Sequence, residues 1–372
     1  MRNKKIAVIG AGIVGASVAF HLSQYGMDVS VFDKNQLGNG ASGHSFAWIN
    51  AFSKQPRHYY DLKYRSMDRW PRFAEDLGED IGLRWGGNVT YCSDPDEGRR
   101  LASECERLNS WGYSAMLISS EELSNLEPNL KIGQFHTGIY TRGEGHVLPV
   151  KVAEACMHKI QEAGGKIYLD TLVDSITQSD DKVFLRLNDQ EMEFDQVVIA
   201  AGIDSTKLAQ TAGINLPQRR SPGVVVKTKP LPSFIHSLAT IYLPPISKEE
   251  KEIHIRQNID GAVMIGAGDQ ESETEDDSQE YANTLIQRAA LYFDQLSDVE
   301  AIRVPVGFRP MPEDGLPVIG FSPQHTNIYL TLTHSGVTLA PLVGALAALE
   351  MVAGIPNGDL DPYRPDRFAF KS

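Results

Sequence analysis

Three stretches of the sequence have residue types and spacing that could do chemistry. The first is Gly10-Ala11-Gly12-Ile13-Val14-Gly15, with Asp33 and Lys34 about twenty residues on. Gly10 permits a tight turn, Gly12 lets backbone approach a pyrophosphate, and Gly15 lets helix and strand pack closely. The helix that begins with Ile13 and Val14 presents unpaired N–H groups to phosphates. Asp33 stands where a carboxylate can accept both hydroxyls of a ribose. This spacing fits a dinucleotide and does not say which one. The second stretch, Gly38 to Ser45, is dense in small residues, and its Ala41, Ser42, His44 and Ser45 could approach and hydrogen-bond something flat or charged. A plain loop is the alternative, but Phe46-Ala47-Trp48-Ile49 follows at once and would hold it against the core. The third is Thr333-His334-Ser335-Gly336-Val337-Thr338, which joins a strand to an apolar helix read from Leu339. Such a junction receives negative charge.

The apolar pattern supplies elements to position these stretches. Ile6 to Ile9 is a strand, the helix after the glycine turn runs to about Tyr25, and Asp28 to Phe32 is a second strand. Pro56 to Leu77 reads as an amphipathic helix with packing aromatics, Arg84 to Tyr91 as a strand, and Asp96 to Gly112 and Ser120 to Leu126 as helices. A helix from Leu148 to about Ala163, closed by Gly164-Gly165, leads to a strand at Lys166 to Leu169. Strands at Val173 to Thr177 and Val183 to Leu187 follow. The run from Gln196 then ends in Ala200-Ala201-Gly202 and brings bare backbone back to the nucleotide sheet. Between Ser221 and Gly268 the longer strands with proline breaks suit an antiparallel sheet. The acidic segment Asp269 to Glu280 reads as a solvated loop leading to a helix at Ala282 to Leu296.

Composition narrows the function classes. A chain of 372 residues, 42% hydrophobic and 22% charged, suits a soluble protein of two domains. Its net charge of -13 argues against a nucleic-acid partner, which calls for clustered Lys and Arg. Cys92, Cys105 and Cys156 have no metal-binding or disulfide spacing, so no metal is expected and a reducing, cytoplasmic setting is. The basic N-terminus precedes the nucleotide strand rather than a cleavable leader. Leu339 to Ala353, interrupted by Pro341 and Gly344, is short for a bilayer and reads as a buried helix, so no transmembrane segment is expected.

In order along the chain, GAGIVG with Asp33, GASGHS, EGHVLP, VVIAAG, GFRPMPEDGLPVIG and HSGVTLAP resemble the D-amino-acid oxidase family of FAD-dependent oxidoreductases, in its glycine oxidase and sarcosine oxidase branch. The resemblance covers nearly the whole chain. It implies an α/β fold in which an FAD-binding Rossmann-like domain of glutathione-reductase type (1–84, 145–219 and 300–372) carries an inserted, mainly antiparallel α+β substrate domain (85–144 and 220–299). It implies FAD rather than NAD. Val173 and Ala200, Ala201 and Gly202 would line the adenosine side, and the loop at 38–45 would approach the flavin. Ser335, Gly336, Val337, Thr338 and Leu339 would supply donors to its pyrimidine end.

The resemblance further implies that Arg309, in the G-x-R-P segment, binds a substrate carboxylate with its planar fork. A structural pairing with Glu313 or Asp314 is the alternative. His254 stands where relatives carry a tyrosine. Arg256, two residues on, would share its strand face, and with Phe46 both could face substrate. The solvent face of an edge strand is the other reading. Gly307 occupies the position at which sarcosine oxidases attach FAD through cysteine, so FAD is expected to be non-covalent. His44 is read as a hydrogen-bond partner, with a covalent link as the alternative. The expected reaction is oxidation of the C–N bond of an amino acid or N-substituted amino acid to an imine, with dioxygen or another acceptor taking the electrons. Rival readings are a dehydrogenase serving a quinone or carrier, on an amino or hydroxy acid, and a non-catalytic flavin-binding subunit of a larger complex. An oligomer is possible.

Overall fold

The computed structural model describes residues 3–247, 250–268 and 275–368. The first six residues of the expected acidic loop, 269–274, lie outside these. Six strands form the sheet that positions the nucleotide motif, in the order Val318–Phe321, Ile328–Leu332, Gln196–Ile199, Lys5–Ile9, Asp28–Phe32 and Lys166–Tyr168. All neighbours are parallel except the first pair. Lys5–Ile9 is buried on both faces after its first residue, as its unbroken apolar run requires. Helix Ile13–Gln24 covers one face and packs against Pro149–Glu162 and Gly336–Ala353. The antiparallel meander Ser175–Ser179, Lys182–Leu187 and Gln190–Phe194 closes over the other face, its apolar residues joining those of the central strands in one core.

The second layer is an eight-stranded sheet ordered Ile302–Arg303, Val225–Lys227, Val263–Ala267, Ile253–Gln257, Thr240–Leu243, Asn88–Cys92, Thr137–Thr141 and Ala115–Ile118. It is antiparallel throughout except where Thr240–Leu243 runs parallel to Asn88–Cys92. That joint unites two segments of chain separated by the crossover helix and two strands of the nucleotide sheet.

Several elements depart from the sequence reading. The strand expected at Arg84 to Tyr91 is two strands, Arg84–Trp85 and Asn88–Cys92, because Gly86 and Gly87 between them adopt φ of 156° and 79°. The helix expected to end at Leu296 stops at Ala290, and a short 3-10 turn, Asp294–Leu296, follows. The terminal helix begins at Gly336 and spans 18 residues. Its length and apolarity would suffice to cross a membrane, so shortness is not what argues against a span. Burial does: most of Val337 to Met351 is enclosed in the core between Ile13–Gln24 and Arg57–Leu77. The three cysteines are buried free thiols.

Candidate active site

A cleft of about 700 Å³ opens at the carboxyl ends of Lys5–Ile9, Gln196–Ile199 and Ile328–Leu332 and runs to the inner face of the eight-stranded sheet. This is where ligands bind open α/β sheets. At its first end the three glycines of the turn do different work. A Cβ on Gly10, whose φ is 113°, would lie 2.3 Å from the Ala200 carbonyl oxygen, and one on Gly15 would lie 2.0 Å from that of Gly10. A Cβ on Gly12 would meet only the Ser42 Oγ, at 3.3 Å. Gly10 and Gly15 are therefore demanded by packing, whereas Gly12 keeps space open in the cleft. The Ser42 hydroxyl accepts the Ile13 N–H at 3.0 Å, beside the other N–H groups of the helix terminus.

Asp33 ends its strand with Oδ2 accepting the Ala11 N–H at 2.7 Å and Oδ1 the Asn35 N–H at 2.9 Å. Burial pushes its carboxyl up despite these donors. Each oxygen keeps a further lone pair for a ribose hydroxyl. Lys34 pairs with Asp204 at 2.8 Å across the mouth of this end. Val173, Ala200, Ala201 and Gly202 line it.

At the inner end, Arg309 is seated by backbone. Its N–H donates to the Ser221 carbonyl at 2.8 Å, Nη1 donates to the Pro222 carbonyl, and a Cβ on Gly223 would strike the guanidinium 2.6 Å away. His254 lies over Gly266, whose Cβ would meet Nε2. Its ring stacks on Tyr242 at 5.0 Å and meets Phe46 edge to face at 4.4 Å. Burial, and then the charge of Arg309, lower its pKa to about 3, so the imidazole is neutral at ordinary pH. Among the described residues, the carboxylates lining the cleft are Asp33, Asp174 and Asp204, all at the nucleotide end.

The cleft thus brings together the expected glycines Gly10, Gly12, Gly202, Gly307 and Gly336, and with them Asp33, the 41–45 loop, Arg309, His254 and Phe46. Three expected residues do not line it. Gly15 acts through packing. Leu339 is in the core, with its N–H donated to the Ser335 carbonyl at 3.1 Å. Arg256 is wholly buried behind Phe46, its charge 5.5 Å from that ring and its Nη1 2.6 Å from Asn258 Oδ1. Instead of two groups of one strand both facing substrate, the strand offers a neutral imidazole to the cleft and holds a guanidinium behind Phe46. His44 packs its Cβ against Gly307, where a Cβ would come within 2.6 Å.

Sequence reasoning missed Lys63 and Tyr242 and gave His334, in a stretch it did single out, no role of its own; all three line the cleft. Tyr242 sits directly across the strand pair from His254, so the aromatic expected on this face comes from the neighbouring strand. An alternating apolar pattern around Tyr242 was the available signal. His334 takes its place from the loop before the terminal helix. Burial first, then the charges of Lys54, Lys63, Arg309 and Arg219, keep it neutral.

The parallel sheet, the glycine turn with its acid, and a cleft leading from it to an arginine define a dinucleotide-dependent enzyme with a small-molecule site. The chain belongs to the FAD dependent oxidoreductase (DAO) family, whose model matches residues 5–349. It is 29% identical over 374 residues to an opine oxidase subunit of Agrobacterium tumefaciens (strain Ach5), covering 98% of this chain and 97% of that one. It is 25% identical to glycine oxidase of Geobacillus kaustophilus (strain HTA426), covering 96% and 95%. The crystal structure of glycine oxidase from G. kaustophilus superposes with a TM-score of 0.85, covering 98% of this chain and 99% of that one at 25% identity. The cofactor is FAD, and the space kept at Gly12 beside the free lone pairs of Asp33 fits its pyrophosphate and ribose.

Proposed function

We propose that this enzyme oxidises the C–N bond of an amino acid or N-substituted amino acid to an imine, which water then hydrolyses. The observation that carries this reading is Arg309, held by the Ser221 and Pro222 carbonyls and by Gly223 at the inner end of the cleft, beside His254. A seated guanidinium fork fixes a substrate carboxylate at two points and so orients the α-carbon, converting encounter into near-attack geometry. When bound, FAD supplies the two-electron acceptor for the hydride leaving that carbon. Neutral His254 and Tyr242 shape the apolar wall around the amine, and the amine proton leaves to water. Similarity to an opine oxidase subunit and to glycine oxidase supports an amino-acid substrate, with an N-substituent as the feature that opines add. Of the inserted segments 85–144 and 220–299, the second supplies this wall, and the flavin is held without a covalent bond.

Arg309→Met should raise KM for a carboxylate substrate and lower kcat/KM about 100-fold or more while FAD stays bound. Gly223→Ala, which pushes the guanidinium from its seat, should act in the same direction. Steady-state kinetics with N-substituted and primary amino acids check both, and unchanged KM values in Arg309→Met would overturn the assignment. Oxygen consumption with peroxide release identifies the electron acceptor.

A further inference from the structure

Lys63 is wholly buried, yet it lies on helix Arg57–Leu77 with its ammonium at the cleft wall. Its polar contacts are two neutral oxygens, Ser335 Oγ at 3.3 Å and Asn50 Oδ1 at 3.5 Å. Ser335 is the residue before helix Gly336–Ala353, so the ammonium and the N-terminus of an 18-residue helix converge on one spot. Thr338 Oγ1 fixes that spot by donating to the Trp48 carbonyl at 3.3 Å and accepting the Asn50 N–H at 3.2 Å. The acid acting on Lys63 is Glu144, whose carboxyl accepts the Tyr113 hydroxyl at 2.5 Å; burial pushes that carboxyl up to about 8 and, with the charge of Lys54, holds the Lys63 pKa well below that of a free lysine. Glu144 is therefore a weak counter-ion, and an anion in the cleft would favour the charged form of Lys63. A buried cation without a counter-ion is costly, and two positive devices aimed at one place call for an anion there.

We propose that Lys63, with the N-terminus of helix Gly336–Ala353, holds the negative charge that FAD acquires on reduction. Hydride transfer brings two electrons and one proton from the substrate C–H and leaves one negative charge on the flavin ring system. Lys63 balances that charge as an ammonium, without transferring a proton, until the electrons pass to the acceptor. The inference rests on the flavin's pyrimidine end lying at the loop 333–338 and is independent of the substrate, so its test uses no substrate.

Sulfite adds to oxidised flavin and places a negative charge on the ring. The reconstituted native holoenzyme, Lys63→Met, Lys63→Arg and Asn50→Asp are titrated with sulfite, following the bleaching of the flavin band, and their midpoint potentials are measured. Lys63→Met should weaken sulfite binding at least about tenfold, the effect of removing one charge from a poorly screened site, and lower the potential. Lys63→Arg should retain most of the affinity. Asn50→Asp keeps the lysine but sets a carboxylate beside it, and should weaken sulfite binding in the same direction. It decides the matter if Lys63→Met does not hold flavin. Sulfite affinity and potential unchanged in the variants that load flavin would overturn the proposal.

Discussion

His146 and His254 face opposite demands from those on Arg309: they must stay uncharged. His146 is fully buried, its Nδ1 lies 2.8 Å from the Ala239 carbonyl, and burial followed by the Arg256 charge holds its pKa well below the usual value. His254 is lowered to about 3. Below pH 6.5 the unfolded chain protonates both while the native state does not, so their contribution is complete above pH 6.5 and is lost as pH falls, for His254 down to about pH 3. The loss should reach about 1 kcal/mol per pH unit for each histidine. Urea midpoints of the apoprotein between pH 7 and 4 check this, and His254→Phe should flatten the slope. At this scale the sequence was readable where the signal is local. Gly10, Gly12, Gly15 and Asp33 form a fixed spacing that needs no tertiary knowledge. Lys63 was not readable, because a lysine on an amphipathic helix ordinarily faces water, and only the approach of the terminal loop encloses it. Arg256 misled for a related reason: strand alternation puts it on the face of His254, but Phe46 stands in front of it.

The terminal helix depends on an acid near its end. Glu350, 1% exposed, receives Arg364 at 2.6 and 3.0 Å and the Tyr329 hydroxyl at 2.5 Å, tying helix Gly336–Ala353 to the last segment and to strand Ile328–Leu332. Arg364→Leu strands that carboxylate and should cost about 3–5 kcal/mol. The double variant with Glu350→Gln should recover much of the loss in the same urea titration. Strand Lys5–Ile9 and helix Pro149–Glu162 were legible within a residue or two, whereas the strand from Gln196, read as running to Gly202, stops at Ile199. The strand Gln190–Phe194 was not legible, because Glu191 and Glu193 give it the look of a loop while its pairing with Lys182–Leu187 supplies the hydrogen bonds.

Across the whole molecule, cofactor loading and folding draw on different glycines. Gly12 has an extended backbone, φ −71° and ψ 171°, that alanine also adopts. Gly12→Ala should therefore fold as the native apoprotein does, yet gain none of the roughly 2.7 kcal/mol that FAD at a hundredfold over its Kd gives the native chain. Melting curves with and without FAD read both quantities. The two-layer plan was legible from alternating crossovers followed by long strands, whereas the parallel joint between Thr240–Leu243 and Asn88–Cys92 links distant segments that no local pattern connects. The burial of helix Gly336–Ala353 against Ile13–Gln24 has a consequence during translation. The Ser17 hydroxyl donates to the Ala340 carbonyl across 323 positions of chain, so the face of the nucleotide helix that meets this cover stays open until all of that length has been made. A nascent chain in that state is a client for chaperones, because a broad contact of the nucleotide layer waits on residues made far downstream.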